Sequence, residues 1–103
     1  MVMVRGNRAE FRFFRPDASR VELVGDFNQW HQGQLKMKRN GQGFWQASIR
    51  FPSGSFKFRY IADGEVFLDY AAFGLEPGPF GLDSVVLVGV GSEQQVRQAG
   101  NMA

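Results

Sequence analysis

Hydrophobic and polar residues alternate with a period of two along most of this chain, the spacing of strands that bury one face. Glu10-Phe11-Arg12-Phe13 alternates and stops at the turn-forming Arg15-Pro16-Asp17. Val21, Leu23 and Phe27 fall at even spacings, with polar Glu22 and Asp26 between them. Leu35 and Met37 flank Lys36 and predict a short third strand, and Asn40-Gly41-Gln42-Gly43 is a hairpin signal. Trp45, Ala47, Ile49 and Phe51 alternate with Gln46, Ser48 and Arg50 up to Pro52-Ser53-Gly54. Phe56, Phe58, Tyr60 and Ala62 share the next face, opposite Lys57, Arg59 and Ile61. Asp63-Gly64 turns the chain, and Glu65 to Tyr70 pairs back. A Gly- and Pro-rich loop is predicted from Ala71 to Leu82, and a closing strand from Asp83 to Val90.

No stretch before the tail keeps a helical period for more than two turns. The fold class is therefore all-β, an immunoglobulin-like β-sandwich of about seven to eight short strands. The pattern bounds one domain over residues 8–90, with 91–103 as a polar, frayed tail. A chain of 103 residues has room for one core, and eleven phenylalanines suit a β-rich one.

One segment stands apart from core construction. After Val21 to Val24 the chain breaks at the turn-prone Asp26-Phe27-Asn28 and reaches Trp30, flanked by Asn28, Gln29, His31 and Gln32. A large ring among polar neighbours at the tip of a strand offers a flat face to a ligand. The competing reading is a lid packed on the sandwich edge. Trp45 is the opposite case, an inward residue of an alternating strand.

The run Val21 to Trp30 resembles the hydrophobic-x-Leu-x-Gly-x-Phe-Asn-x-Trp pattern of carbohydrate-binding module family 48. These are early-set domains of the isoamylase type, also found in the beta subunit of AMP-activated protein kinase. Phe58-Arg59-Tyr60-Ile61-Ala62-Asp63-Gly64 is similar to a second family motif, and Pro79-Phe80-Gly81-Leu82-Asp83-Ser84-Val85-Val86 to a third. The resemblance spans about Arg8 to Val90 and implies an early-set sandwich that binds glycogen or starch-like α-glucan. It implies that Trp30 stacks on a sugar ring and that Arg59 hydrogen-bonds to glucose hydroxyls. It also implies a ligand contact at Asp83, where the family carries Asn.

Two departures bear on affinity. The family's second clamping Trp falls at Val66, which has no flat face. Phe67 replaces that ring only if the hairpin shifts by one residue, because a slip of one turns a side chain to the other face. Asp83 for Asn loses an amide donor and keeps an acceptor. One missing ring is worth about tenfold in affinity.

The candidate carbohydrate-binding residues are Trp30, Arg59, Asp83, Asn28 and Phe67. Each has a plainer reading beside the functional one. Asn28 caps its own turn, Arg59 is an ordinary solvated strand residue, Asp83 starts the last strand, and Phe67 and Phe80 are core anchors. Lys36 is a further basic residue on an exposed face. The chemistry of the functional reading is simple: axial C–H groups of a pyranose rest on the indole, while charged and amide groups take the hydroxyls.

Other function classes find less support. The single His31 has no Cys beside it and no nucleophile elbow, so neither a triad nor a zinc site is formed and the chain is not expected to be an enzyme. Asp63 and Asp69 flank a hairpin, but glycoside cleavage needs paired acids in a cleft. No cofactor is expected. Arginines near the start are interleaved with Phe11, Phe13 and Phe14, and Lys57-Phe58-Arg59-Tyr60 faintly resembles an RNA-binding strand. With net charge only +2, and Phe58 and Tyr60 required inside, no nucleic acid partner is expected. The absence of cysteine fits a reducing compartment. The first residues do not read as a signal sequence, and the run Val85 to Val90 is too short to span a bilayer. The expectation is a soluble cytoplasmic protein without a membrane partner. The functional expectation is non-catalytic binding of α-glucan, with an enzyme of glycogen metabolism as a further partner. The alternative is an interaction module that has lost glucan binding and docks on a partner or self-associates. Oligomeric state leaves no mark in the sequence.

Overall fold

A computed structural model describes residues 1–78 and 81–89 of the chain. Among them run nine strands, β1 (Val2–Arg5), β2 (Arg8–Phe14), β3 (Val21–Gly25), β4 (Lys38–Arg39), β5 (Phe44–Arg50), β6 (Gly54–Ala62), β7 (Glu65–Phe67), β8 (Leu75–Gly78) and β9 (Gly81–Val88). They form two antiparallel sheets, ordered β1-β2-β5-β4 and β3-β6-β9-β8, with β7 paired to β6 beyond the end of β9. The sheets pack face to face as a sandwich of the immunoglobulin-like, early-set type.

The core lies where alternation put it. Phe11 from the first sheet meets Phe58 from the second edge-on at 4.9 Å, and Phe13 stacks on Tyr60 at 4.5 Å. Such aromatic pairs add about 0.5–1.5 kcal/mol each beyond the area they bury. Trp45 is buried, as its alternating strand requires, and its indole N–H donates to the Arg15 carbonyl at 2.9 Å. The Tyr60 hydroxyl donates to the buried carboxylate of Asp69 at 2.6 Å, and the Asp69 N–H donates to the Ser84 hydroxyl at 2.7 Å. Burial first, and then the Asp69 hydrogen bond and charge, push the Tyr60 phenol well above its ordinary range.

Four details differ from the sequence pattern. The first sheet begins at Val2, ahead of Arg8, because β1 pairs with β2 from Val2 to Arg5; only four residues long, it offers too little alternation to stand out. Leu35 and Met37 do not form their own strand. They hydrogen-bond to Leu23 and Val21 at the edge of β3, after which the chain crosses to the other sheet as β4. The pairing-back strand is confined to Glu65–Phe67, and the Gly- and Pro-rich loop contains β8, whose Pro77 lies on an edge where no N–H is needed. Val90 and the tail 91–103 lie outside the described residues.

Candidate functional site

The outer face of the β3-β6-β9 sheet is not open to solvent in the way alternation suggests. Register sets Glu22 opposite Ile61 and Val24 opposite Arg59, with Val66 opposite Ile61 on the other side. Glu22, Val24 and Ile61 are nevertheless buried. The segment after β3 folds back over them.

That segment is shaped by a short 3₁₀ turn, Asp26–Asn28. Gly25 ends β3 where a Cβ would collide with the Phe27 ring and the Lys57 carbonyl, so the chain needs glycine there to bend so tightly. Asn28 is buried and fully engaged by the turn: its side-chain oxygen accepts from the Gly25 N–H at 3.1 Å and its amide donates to the His31 carbonyl at 3.2 Å. Gln29 and Trp30 follow at φ of +56° and +60°. Non-glycine residues held in this region cost on the order of 1–3 kcal/mol each, and such strain concentrates at functional sites. The Trp30 N–H closes the bend by donating to the Gly25 carbonyl at 2.8 Å.

Trp30 is thereby set against Arg59. The guanidinium carbon lies 5.4 Å from the centre of the half-buried indole. Arg59 is itself pinned from below, its Nε donating to Asp83 Oδ1 at 2.6 Å. Asp83 is wholly buried, and its second oxygen lies against the bare Cα of Gly78, where any Cβ would collide with it. Ring, guanidinium and anchoring carboxylate thus form one stack on the outer face.

The sequence candidates divide accordingly. The structure brings Trp30, Arg59 and Asp83 together. Asp83, expected to touch the ligand, is fully buried here, and its carboxylate is paired with Arg59. Asn28 shapes the turn that carries Trp30, with both polar ends of its amide occupied. Phe67 is on the other side of the sheet. The register Tyr60↔Phe67 holds without a slip, so its ring faces the core, 5.5 Å from Phe13 and covered by the Arg15 guanidinium at 4.4 Å. Phe67 therefore does not replace the second ring. Val66 does face the site side and is 52% exposed. Phe80 lies outside the described residues. Phe58 and Tyr60 are wholly buried, which removes them as stacking partners for bases.

Sequence reasoning missed Glu22, Arg20 and Gly78. A glutamate between apolar residues of a strand reads as solvent-facing, and nothing local shows that residues 29–33 will cover it.

The family model that matches this chain is carbohydrate-binding module 48 (isoamylase N-terminal domain), over residues 2–74. The chain belongs to carbohydrate-binding module family 48. As a member of that family it is similar to the 1,4-alpha-glucan branching enzyme GlgB of Salinibacter ruber, 38% identical over 71 residues, which is 65% of this chain and 11% of that enzyme. The branching enzyme of Lactobacillus acidophilus is 39% identical over 74 residues, 67% of this chain and 11% of the enzyme. That of Ralstonia nicotianae is 36% identical over 63 residues, 54% of this chain and 8% of the enzyme. The stretch that matches this chain covers about a tenth of the length of these relatives. The matched unit is a carbohydrate-binding module rather than a catalytic one. Among the described residues no helix is long and apolar enough to cross a membrane, and no cluster of three or more His, Cys, Asp or Glu could hold a metal.

Proposed function

We propose that this family 48 module binds α-glucan without cleaving it, with Trp30 as the stacking surface and Arg59 as the hydroxyl partner. The observation that carries this is the Trp30–Arg59–Asp83 stack. A strained turn presents the ring, and a buried carboxylate holds the guanidinium beside it. Fixing both groups before the ligand arrives lowers the ordering cost of binding. An indole next to a fixed guanidinium suits a sugar, whose C–H face sheds water on the ring while its hydroxyls seek charged donors. The relatives are named for action on 1,4-alpha-glucan, which supports the same ligand class. A glucan-metabolising enzyme, in the same chain or a separate one, is the partner this reading calls for, in the cytoplasm.

Affinity electrophoresis through gels containing glycogen or amylopectin tests the proposal. The wild type is expected to be retarded and Trp30→Ala to run as in a sugar-free gel. Equal mobility of the wild type with and without polysaccharide, at levels that slow a known binder, would overturn it.

A second reading, docking on a partner protein, has one observation in its favour. β4 pairs in register only with Trp45 and Gln46, and beside the rest of β5 lies a groove of about 610 Å³. Its lining combines Leu35, Ala47 and Ile49 with the basic Arg12, Lys36 and Lys38 and the single acid Glu10, a basic excess that suits an extended acidic segment added at a sheet edge. This reading predicts no retardation in either gel.

A further inference from the structure

A depression of about 430 Å³ opens on the same face as Trp30, with Arg20, Glu22, Gln32 and Ile61 in its lining. We propose that it is a second glucosyl subsite, taking the sugar unit that follows the one on Trp30. The inference rests on the α-glucan reading above and deepens it.

Position comes first. Ile61, the apolar floor, is two residues along β6 from Arg59 and points to the same side, which sets the two side chains about 6.6 Å apart. The depression thus lies one outer-face position along β6 from Arg59, with neither Trp30 nor Arg59 in its lining. At the other end of the same row, across Ile61, stands Val66.

The lining chemistry selects the ligand class. Glu22, only 5% exposed, accepts the Gly33 N–H at 2.9 Å and is ion-paired with Arg20. That pairing fixes the guanidinium while leaving most of its five donors for a ligand. Gln32 is exposed at the rim and supplies both a donor and an acceptor. Asp63 forms part of the wall, its carboxylate held by the Ser19 and Arg20 N–H groups at 2.9–3.1 Å. Two carboxylates beside one guanidinium disfavour an anion such as a phosphate. A neutral polyhydroxyl ring, with adjacent hydroxyls for the arginine fork and the Gln32 amide, suits this lining, and the little of Ile61 that reaches the surface is the apolar strip beneath it.

Nuclear magnetic resonance titrations with methyl α-glucoside and maltoheptaose, on the wild type, Trp30→Ala, Gln32→Ala and Arg20→Lys, separate the possibilities. Arg20→Lys keeps the charge that pairs with Glu22, so folding is expected to survive. Maltoheptaose is expected to move the Gly33 and Gly64 amide signals and the Ile61 methyl signal of the wild type. Gln32→Ala and Arg20→Lys should each weaken maltoheptaose about two- to tenfold, the worth of one hydrogen bond, and leave methyl α-glucoside, a single glucosyl unit, unchanged. Maltoheptaose binding that Trp30→Ala abolishes, with the three signals unmoved and both other variants at wild-type affinity, would overturn the subsite and leave the glucan reading standing. A wild type that binds neither sugar would overturn both.

Discussion

In the α-glucan reading proposed above, affinity turns on Val66 and Asp83. Val66 faces the site and is half exposed, so a ring there would stand free to meet a ligand. Val66→Trp is expected to tighten glycogen binding about tenfold, read as stronger retardation in the gel. Unchanged mobility would mean that the glucan does not pass over Ile61. Asp83 is a buried anion whose partner Arg59 keeps only 11% of its side chain exposed. Asp83→Ala leaves that guanidinium without its carboxylate and should cost about 3–5 kcal/mol in urea unfolding, since removing one partner strands the other. Asp83→Asn keeps an acceptor for Arg59 and should cost less. Trp30 was legible in the sequence because its neighbours are polar. The burial of Asp83 was not, because it depends on the bare backbone of Gly78 in a strand that shows no alternation.

The element that makes the site is the turn after β3. Three local devices shape it: a glycine with no room for a Cβ, an asparagine that bonds to the backbone on both sides, and two residues at positive φ. Gly25→Ala should force the Phe27 ring away from its 5.1 Å contact with Phe51 and cost about 1–3 kcal/mol, as overpacking does. Thermal unfolding would measure that loss, and glucan binding should fall with it as Trp30 moves. A variant as stable as wild type would show that the turn has slack. The Asn28 motif was visible as a turn-former. Its coverage of the outer face was not, since that comes from residues 29–33 meeting Glu22 and Arg59 from another strand.

Across the whole molecule, the two sheets are joined by one aromatic core whose polar exception is Tyr60. Its phenol is held protonated by burial and by Asp69, so the folded state binds that proton more tightly than the unfolded chain does. The contribution is complete below the unfolded value near 10 and shrinks as pH climbs above it. Tyr60→Phe should lose about 1–3 kcal/mol at neutral pH, because Asp69 loses a donor. Its stability should also fall less steeply than that of wild type above pH 10. Parallel curves for the two proteins in urea unfolding across the alkaline range would contradict the assignment.

The sequence by itself determined the all-β class, the sandwich, the inward set Phe11, Leu23, Trp45, Phe58 and Tyr60, and the outward placing of Trp30 and Arg59. A period of two is a local property: once a segment is a strand, it assigns each side chain to one of two faces. Alternation does not say what lies above a face. Only the tertiary structure buried Glu22, Val24 and Asp83 on the outer side, fixed the unshifted register that keeps Phe67 beside Phe13, and placed β8 in what reads as a loop. Each of these depends on register or on contact between segments distant in the chain. Packing sets those relations, and composition and spacing carry no trace of them.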